Sequence, residues 1–141
     1  MAAASEFLDR RVDPGTLPLA VGDVLMILAF LYAGSLRHQT VGLPPTADGL
    51  VHLGGVAAPF LLGWVLVAVP IGAYSAGAGE SAKASVPLAI RSWIGTAVIG
   101  LGLRATPLFP GGVQLTFAAV VVGVGAVSLG VFRYVAGRLR G

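Results

Sequence analysis

Long apolar stretches dominate the chain and alternate with short segments that are polar or contain proline. Four such stretches cover residues 17–36, 50–74, 86–108 and 113–133. A helix needs about 20 apolar residues to cross a hydrocarbon core of roughly 30 Å, and each stretch has that length. The pattern therefore predicts four transmembrane helices.

The third stretch is the least regular, because two arginines lie inside it. Between Arg91 and Arg104 there are 12 uncharged residues. As a helix they would cover only about 18 Å. Two arginine side chains that extend towards opposite membrane surfaces would make up the difference. We expect a full span here, with a tilted or re-entrant segment as the alternative.

The connections between the stretches are short and contain helix breakers. Pro44 and Pro45 separate the first two stretches, and residues 107–112 contain two prolines and two glycines. Short connections make successive helices antiparallel neighbours. The sequence predicts an all-α fold, an integral membrane four-helix bundle of up-down-up-down topology. The bundle would cover residues 17–134, between a polar N-terminal tail (1–16) and a basic C-terminal tail (135–141).

Basic residues are unevenly divided between the two predicted membrane faces. Two of them, Arg37 and Arg104, lie opposite the N-terminus, and seven lie on its side. Because basic flanks are retained inside the cell, we expect both termini to be cytoplasmic. The protein would then be a multi-pass protein of the plasma membrane. The seven residues are Arg10, Arg11, Lys83, Arg91, Arg133, Arg138 and Arg140.

The composition agrees with a membrane protein and excludes several kinds of chemistry. Hydrophobic residues make up 56% of the 141 residues and charged residues 11%, whereas soluble domains carry about 25% charged residues. There are no cysteines, which excludes disulfides, thiolate metal sites and cysteine nucleophiles. The basic residues form no continuous stripe, so we expect membrane lipids as partners and no nucleic acid.

Asp23 is the one acidic residue predicted inside a span. It lies about six residues into the first stretch, where an unpaired carboxylate is costly. One interpretation is a proton or cation site. The other, which we favour, is a structural carboxylate near the inner headgroups that pairs with Arg91 or with the N-terminal arginines.

Polar residues at the predicted outer surface are the other candidates for ligand binding: Arg37, His38, His52 and Arg104. Two histidines do not define a metal site, which needs three or four ligands. We therefore predict no metal site, no cofactor and no catalytic residue. For Arg104 one interpretation is a contact with an anion or substrate, or a pair with an acidic group. The favoured interpretation is a packing face that ends in an arginine whose side chain snorkels towards the membrane surface.

Small residues recur at helical spacing in the third and fourth stretches. One set shares a helix face because its members are four residues apart: Ser92, Thr96, Gly100 and Arg104. The other set repeats every seven residues: Gly123, Gly130 and Gly137. Small residues let helices approach closely, so both sets indicate helix packing, and the second could equally form a dimer surface.

Short motifs in all four spans are similar to those of one protein family. They are Asp23-Val24-Leu25 with Phe30, Gly34 and His38, the run from Pro59 to Trp64, Trp93 and Thr96 with Leu103-Arg104, and Phe117. Over about residues 20–135 the chain resembles the domain of unknown function 3054 family of small prokaryotic four-helix membrane proteins.

That family has no established activity, so the resemblance implies the architecture and no substrate. It directs attention to the matching polar and aromatic positions, Asp23, His38, Trp93 and Arg104. The chain departs from the family pattern after the glycine of the first helix. The pattern has a basic pair there, and this chain has Ser35-Leu36.

The favoured hypothesis is a non-enzymatic membrane protein that acts as a homo-oligomer or as a subunit bound to a membrane protein partner. A small oligomeric transporter or channel is an alternative, although Thr96 is almost the only polar residue predicted near the midplane. The third hypothesis is a membrane enzyme that acts on a lipid or quinone at the outer interface. It requires His38, His52 and Arg104 to converge.

Overall fold

Four long α-helices make up the protein in a computed structural model, which describes residues 6, 10–37, 46–107 and 115–140. A 3-10 turn, Pro14–Thr16, leads into α1 (Leu17–Arg37), which is followed by α2 (Ala47–Ile71), α3 (Ala82–Arg104) and α4 (Leu115–Arg140). The described part contains no β-strand. All four helices are long and apolar enough to cross a membrane. The predicted all-α fold with four candidate membrane spans is confirmed.

The helix ends are fixed by local hydrogen bonds. The Thr46 hydroxyl accepts from the Gly49 amide at the start of α2, and the Ser81 hydroxyl accepts from the Ala84 amide at the start of α3. Each satisfies one of the amides that a helix N-terminus leaves unpaired. Gly72 caps the C-terminus of α2, and its φ of 95° lies in the left-handed region that glycine adopts without strain.

Two helices differ from the sequence expectation in extent or regularity. α3 is one continuous helix of 23 residues with Arg91 exposed on its surface, so its length is sufficient for a full span of about 30 Å. α4 continues to Arg140, so that residues 135–140, predicted as a tail, are helical. Arg133 was predicted among the basic residues that flank the last span, and this is wrong: its side chain is fully buried in the bundle.

α2 and α3 contact each other at residues whose order along α2 is the reverse of their order along α3. From one end to the other, Gly100 faces the ring of Phe60, Gly63 faces the Thr96 carbonyl, and Gly95 faces Val67. These contacts make the pair antiparallel, with glycines at the closest approaches.

The α3 and α4 pair is antiparallel in the same way. Trp93 lies against Gly125, Ile90 against Gly130, and the start of α3 against Gly137. α1 completes the bundle by packing against α2 and α4. The full up-down-up-down topology and the cytoplasmic position of both termini stay predictions.

The glycine seam predicted on α4 packs inside the bundle at two of its three positions. Gly130 and Gly137 are buried against α3, but Gly123 is exposed, and a Cβ atom added there would have open space around it. Val121 and Gly125 are the buried residues at this level. Since Gly123 is two residues from each of them, it lies on the opposite side of the helix at 3.6 residues per turn.

These two glycines give a matched pair of variants. We expect Gly125→Ala to lower the free energy of unfolding by about 1–3 kcal/mol, because the new methyl group would overlap the indole of Trp93. Gly123→Ala should be neutral or stabilising, since alanine favours a helix and nothing obstructs it. Thermal unfolding of both variants in one detergent checks this. Equal losses would contradict the packing described here.

Candidate functional site

A buried ion pair between α1 and α4 is the most polar feature of the interior. The Arg133 guanidinium donates from Nε to Asp23 Oδ1 at 3.0 Å and from Nη2 to Asp23 Oδ2 at 2.6 Å. Both side chains have zero solvent exposure. This two-point geometry is the strongest arrangement that an arginine and a carboxylate form.

The remaining guanidinium nitrogen contacts α3 and the segment between α2 and α3. Arg133 Nη1 donates to Ser85 Oγ at 2.9 Å and to the Ala73 carbonyl at 3.3 Å. With the two bonds to Asp23, these contacts use four of the five N–H groups that a guanidinium has. The positive charge is therefore enclosed by acceptors from three parts of the chain.

Two aromatic side chains extend the pair into a chain of hydrogen bonds. Trp64 Nε1 of α2 donates to Tyr74 Oη at 2.7 Å, and Tyr74 Oη donates to Asp23 Oδ2 at 2.6 Å. Burial, together with the negative charge of Asp23, raises the pKa of the Tyr74 hydroxyl well above its ordinary value. The hydroxyl thus keeps its proton and remains a donor. We call Asp23, Arg133, Tyr74, Trp64 and Ser85 the Asp23–Arg133 network.

The backbone of Tyr74 is fixed by the segment that precedes α1. The Asp13 amide donates to the Tyr74 carbonyl at 2.7 Å, and the buried Thr16 hydroxyl donates to the same carbonyl at 2.8 Å. Because Tyr74 follows closely after the turn at Gly72, its ring enters the bundle between α1 and α2. Residues 12–16, predicted as part of a polar tail, thus position one member of the network.

The network leaves no position where a cation could bind. The carboxylate accepts three hydrogen bonds and the pair has no net charge, so it offers no vacant position to a cation. Neither of the two cavities described below has Asp23 or Arg133 in its lining. These observations favour a structural ion pair. The partner of Asp23 is Arg133 and neither Arg91 nor an N-terminal arginine as predicted, since Arg91 is exposed on α3.

Sequence reasoning missed Arg133 because it precedes two more arginines and resembles a membrane-flanking residue. A comparison of depths could have named it as one candidate partner of Asp23. Asp23 is the seventh residue of α1 and Arg133 lies seven residues before the end of α4. If both termini lie on one side, the two are at similar depth. An acidic residue inside a span commonly pairs with a basic residue at the same depth.

Arg104 lies in a second buried region, which is aromatic. Its side chain is 7% exposed, and its guanidinium carbon lies 4.4 Å from the centre of the Phe117 ring. Close by, Trp93 stacks on Phe60 at 5.9 Å and meets Phe30 edge-to-face at 5.3 Å. A cation over an aromatic face is attracted by the ring electrons. The guanidinium therefore packs within the bundle and does not extend to the lipid.

The other predicted outer residues do not form a described cluster. His52 is exposed on α2. His38 lies outside the described residues, and Arg37 is described only as the last residue of α1. The described residues therefore do not test whether His38, His52 and Arg104 converge, as the enzyme hypothesis requires.

The small-residue face of α3 points into the bundle. Ser92 and Thr96 have zero exposure, and Gly100 lies against the ring of Phe60. The Thr96 hydroxyl donates to the Ser92 carbonyl at 2.6 Å. The Ser92 hydroxyl, by contrast, has no hydrogen-bond partner within the described part of the chain.

Ser85 and Ser92 form a second matched pair, because both are buried on α3 and only Ser85 accepts a hydrogen bond from Arg133. We expect Ser85→Ala to lower the free energy of unfolding by about 1–3 kcal/mol, since a buried charged donor loses an acceptor. Ser92→Ala should be neutral or stabilising, because it removes an unpaired buried hydroxyl. Reversible unfolding of each variant in the same detergent measures the difference. A Ser92→Ala loss as large as that of Ser85→Ala would contradict this assignment.

Comparison with known proteins identifies the family and no close characterised relative. The sequence matches the family described as "Protein of unknown function (DUF3054)" over residues 20–136, which is most of the chain. The match includes Asp23, Tyr74 and Arg133 and therefore the whole network. No curated protein and no solved structure matches the chain. The chain belongs to the DUF3054 family of proteins of unknown function.

Proposed function

We propose that this protein is a non-enzymatic component of the plasma membrane that assembles with a second copy of itself through the exposed face of α4. The observation that supports this is a groove of about 380 Å³ on the outside of the bundle. We call it the α4 groove. Its lining consists of Ala119, Val120, Gly123, Val124, Val127 and Ser128.

The shape of the α4 groove suits another transmembrane helix. Ala119 and Gly123 are one turn apart, and a Cβ atom added at Gly123 meets nothing within 4 Å inside the chain. Small residues at this spacing allow two membrane helices to approach closely. Val120 and Val127, 53% and 66% exposed, provide the sides. Valine has one preferred rotamer in a helix, so packing these side chains loses little entropy.

A second copy is the occupant that the chemistry of the α4 groove favours. All its lining residues are uncharged, so a two-fold axis along it brings no like charges together. An interface about a two-fold axis places the same patch on both chains. The α4 groove can pair with itself in this way. Its floor consists of small residues and its sides of valines, so the valines of one copy can lie beside the glycine of the other.

The two alternative hypotheses have less support. A transporter needs polar groups that are available to a solute, but the Asp23–Arg133 network is satisfied internally and the Thr96 hydroxyl donates within its own helix. An outer-interface enzyme needs Arg104 to reach a substrate, but its side chain is 7% exposed and packs over the Phe117 ring.

Cysteine cross-linking tests self-association directly, because the natural chain has no cysteine. We expect Val124→Cys to form a disulfide-linked homodimer on mild oxidation in native membranes, since Val124 lies in the α4 groove. Adding Gly123→Leu to this variant should abolish the cross-link, because the leucine side chain would fill the floor of the α4 groove.

The matched control is Val98→Cys, at a position that is 70% exposed on α3 and lies outside the α4 groove. This variant should stay monomeric under the same oxidation. Equal cross-linking at positions 98 and 124, persistence of the dimer after Gly123→Leu is added, or a link to a different protein in place of the dimer would each contradict the proposal.

A further inference from the structure

A second cavity lies where the start of α3 meets the end of α4. Its volume is about 820 Å³, in the range of cavities that bind small organic molecules. We call it the α3–α4 cavity. The lining residues that matter for its chemistry are Lys83, Val86, Pro87, Tyr134 and Arg138.

The α3–α4 cavity has a charged rim and an apolar wall. Lys83 is the second residue of α3 and Arg138 is two residues from the end of α4, so both lie at helix ends. Val86 and Pro87 come one turn further into α3. Helix ends of a membrane protein lie at the headgroup level, where tyrosine is also enriched. Tyr134 is 53% exposed at this position.

The two cations at the rim are available for an outside anion. Lys83 and Arg138 are both exposed, and neither forms an ion pair within the described residues. The acidic side chain nearest to them in the sequence, Glu80, does not line the cavity. The rim therefore carries two positive charges and the lining no negative one.

We infer that the α3–α4 cavity binds an anionic phospholipid, with its phosphate between Lys83 and Arg138 and an acyl chain along Val86 and Pro87. Basic pockets between membrane helices bind acidic headgroups through such charges. The Tyr134 hydroxyl can donate a further hydrogen bond to the phosphate. The apolar wall beside the two cations favours a lipid over a free phosphate, because only a lipid has an acyl chain to place against it.

Native mass spectrometry of the full chain tests this inference. The purified protein is equilibrated with equal amounts of phosphatidylglycerol and phosphatidylcholine that have identical acyl chains. We expect one phosphatidylglycerol to be retained in preference, and an excess of inorganic phosphate not to displace it. Equal retention of the two lipids, or displacement by free phosphate, would overturn the inference.

Paired substitutions test whether Lys83 and Arg138 bind the phospholipid. Lys83→Gln with Arg138→Gln should weaken the preference for phosphatidylglycerol roughly twenty-five-fold, because each basic residue near an anionic surface contributes about five-fold. Lys83→Arg with Arg138→Lys should keep the preference, because both positive charges remain. The control, Arg10→Gln with Arg91→Gln, removes two exposed positive charges that do not line the cavity. A preference that survives the first double variant, or that the control reduces equally, would refute the site.

Discussion

The ion pair of Asp23 and Arg133 joins two residues that are 110 positions apart in the chain, and it constrains how α1 and α4 lie within the bundle. Two charges removed from water are tolerated only when they are paired and their other hydrogen-bonding groups are satisfied. Here the acceptors and donors come from every helix: Asp23 from α1, Trp64 from α2, Ser85 from α3 and Arg133 from α4. In a lipid environment the hydrophobic effect does not press helices together. A shared polar network therefore supplies specificity that apolar packing alone lacks.

Away from this network, the helices are aligned by aromatic side chains that fit against glycines. Trp93 has zero exposure, donates to the Val121 carbonyl at 3.1 Å and lies directly over Gly125. The indole reaches a backbone carbonyl of α4 because Gly125 has no side chain. Polar and aromatic contacts thus fix different levels of the same helices. Together they leave the outer face of α4 and the junction of α3 with α4 open, which is where the two proposed contacts lie.

The architecture could be predicted from the sequence because length and apolarity alone specify a span. The partner of Asp23 could not. Arg91 and Arg133 both lie near the predicted inner ends of spans, and only the rotation of α3 and α4 decides that Arg91 is exposed and Arg133 buried. The same limit applies to the glycines. A seven-residue repeat groups Gly123 with Gly130 and Gly137, but the packed side of α4 changes along its length, so Gly123 faces outward and Gly125 inward.

The structure supports a protein whose buried ion pair stabilises the bundle, and the two proposed contacts both lie on its surface. The most direct measurement is a double-mutant cycle on Asp23→Asn and Arg133→Gln, followed by reversible unfolding in one detergent. Each single variant leaves one buried charge without its partner and should cost about 3–5 kcal/mol. The double variant has no buried charge, so the account predicts that it is more stable than either single variant, with a coupling of up to about 3 kcal/mol. Additive losses in the double variant would contradict the claim that this ion pair organises the fold.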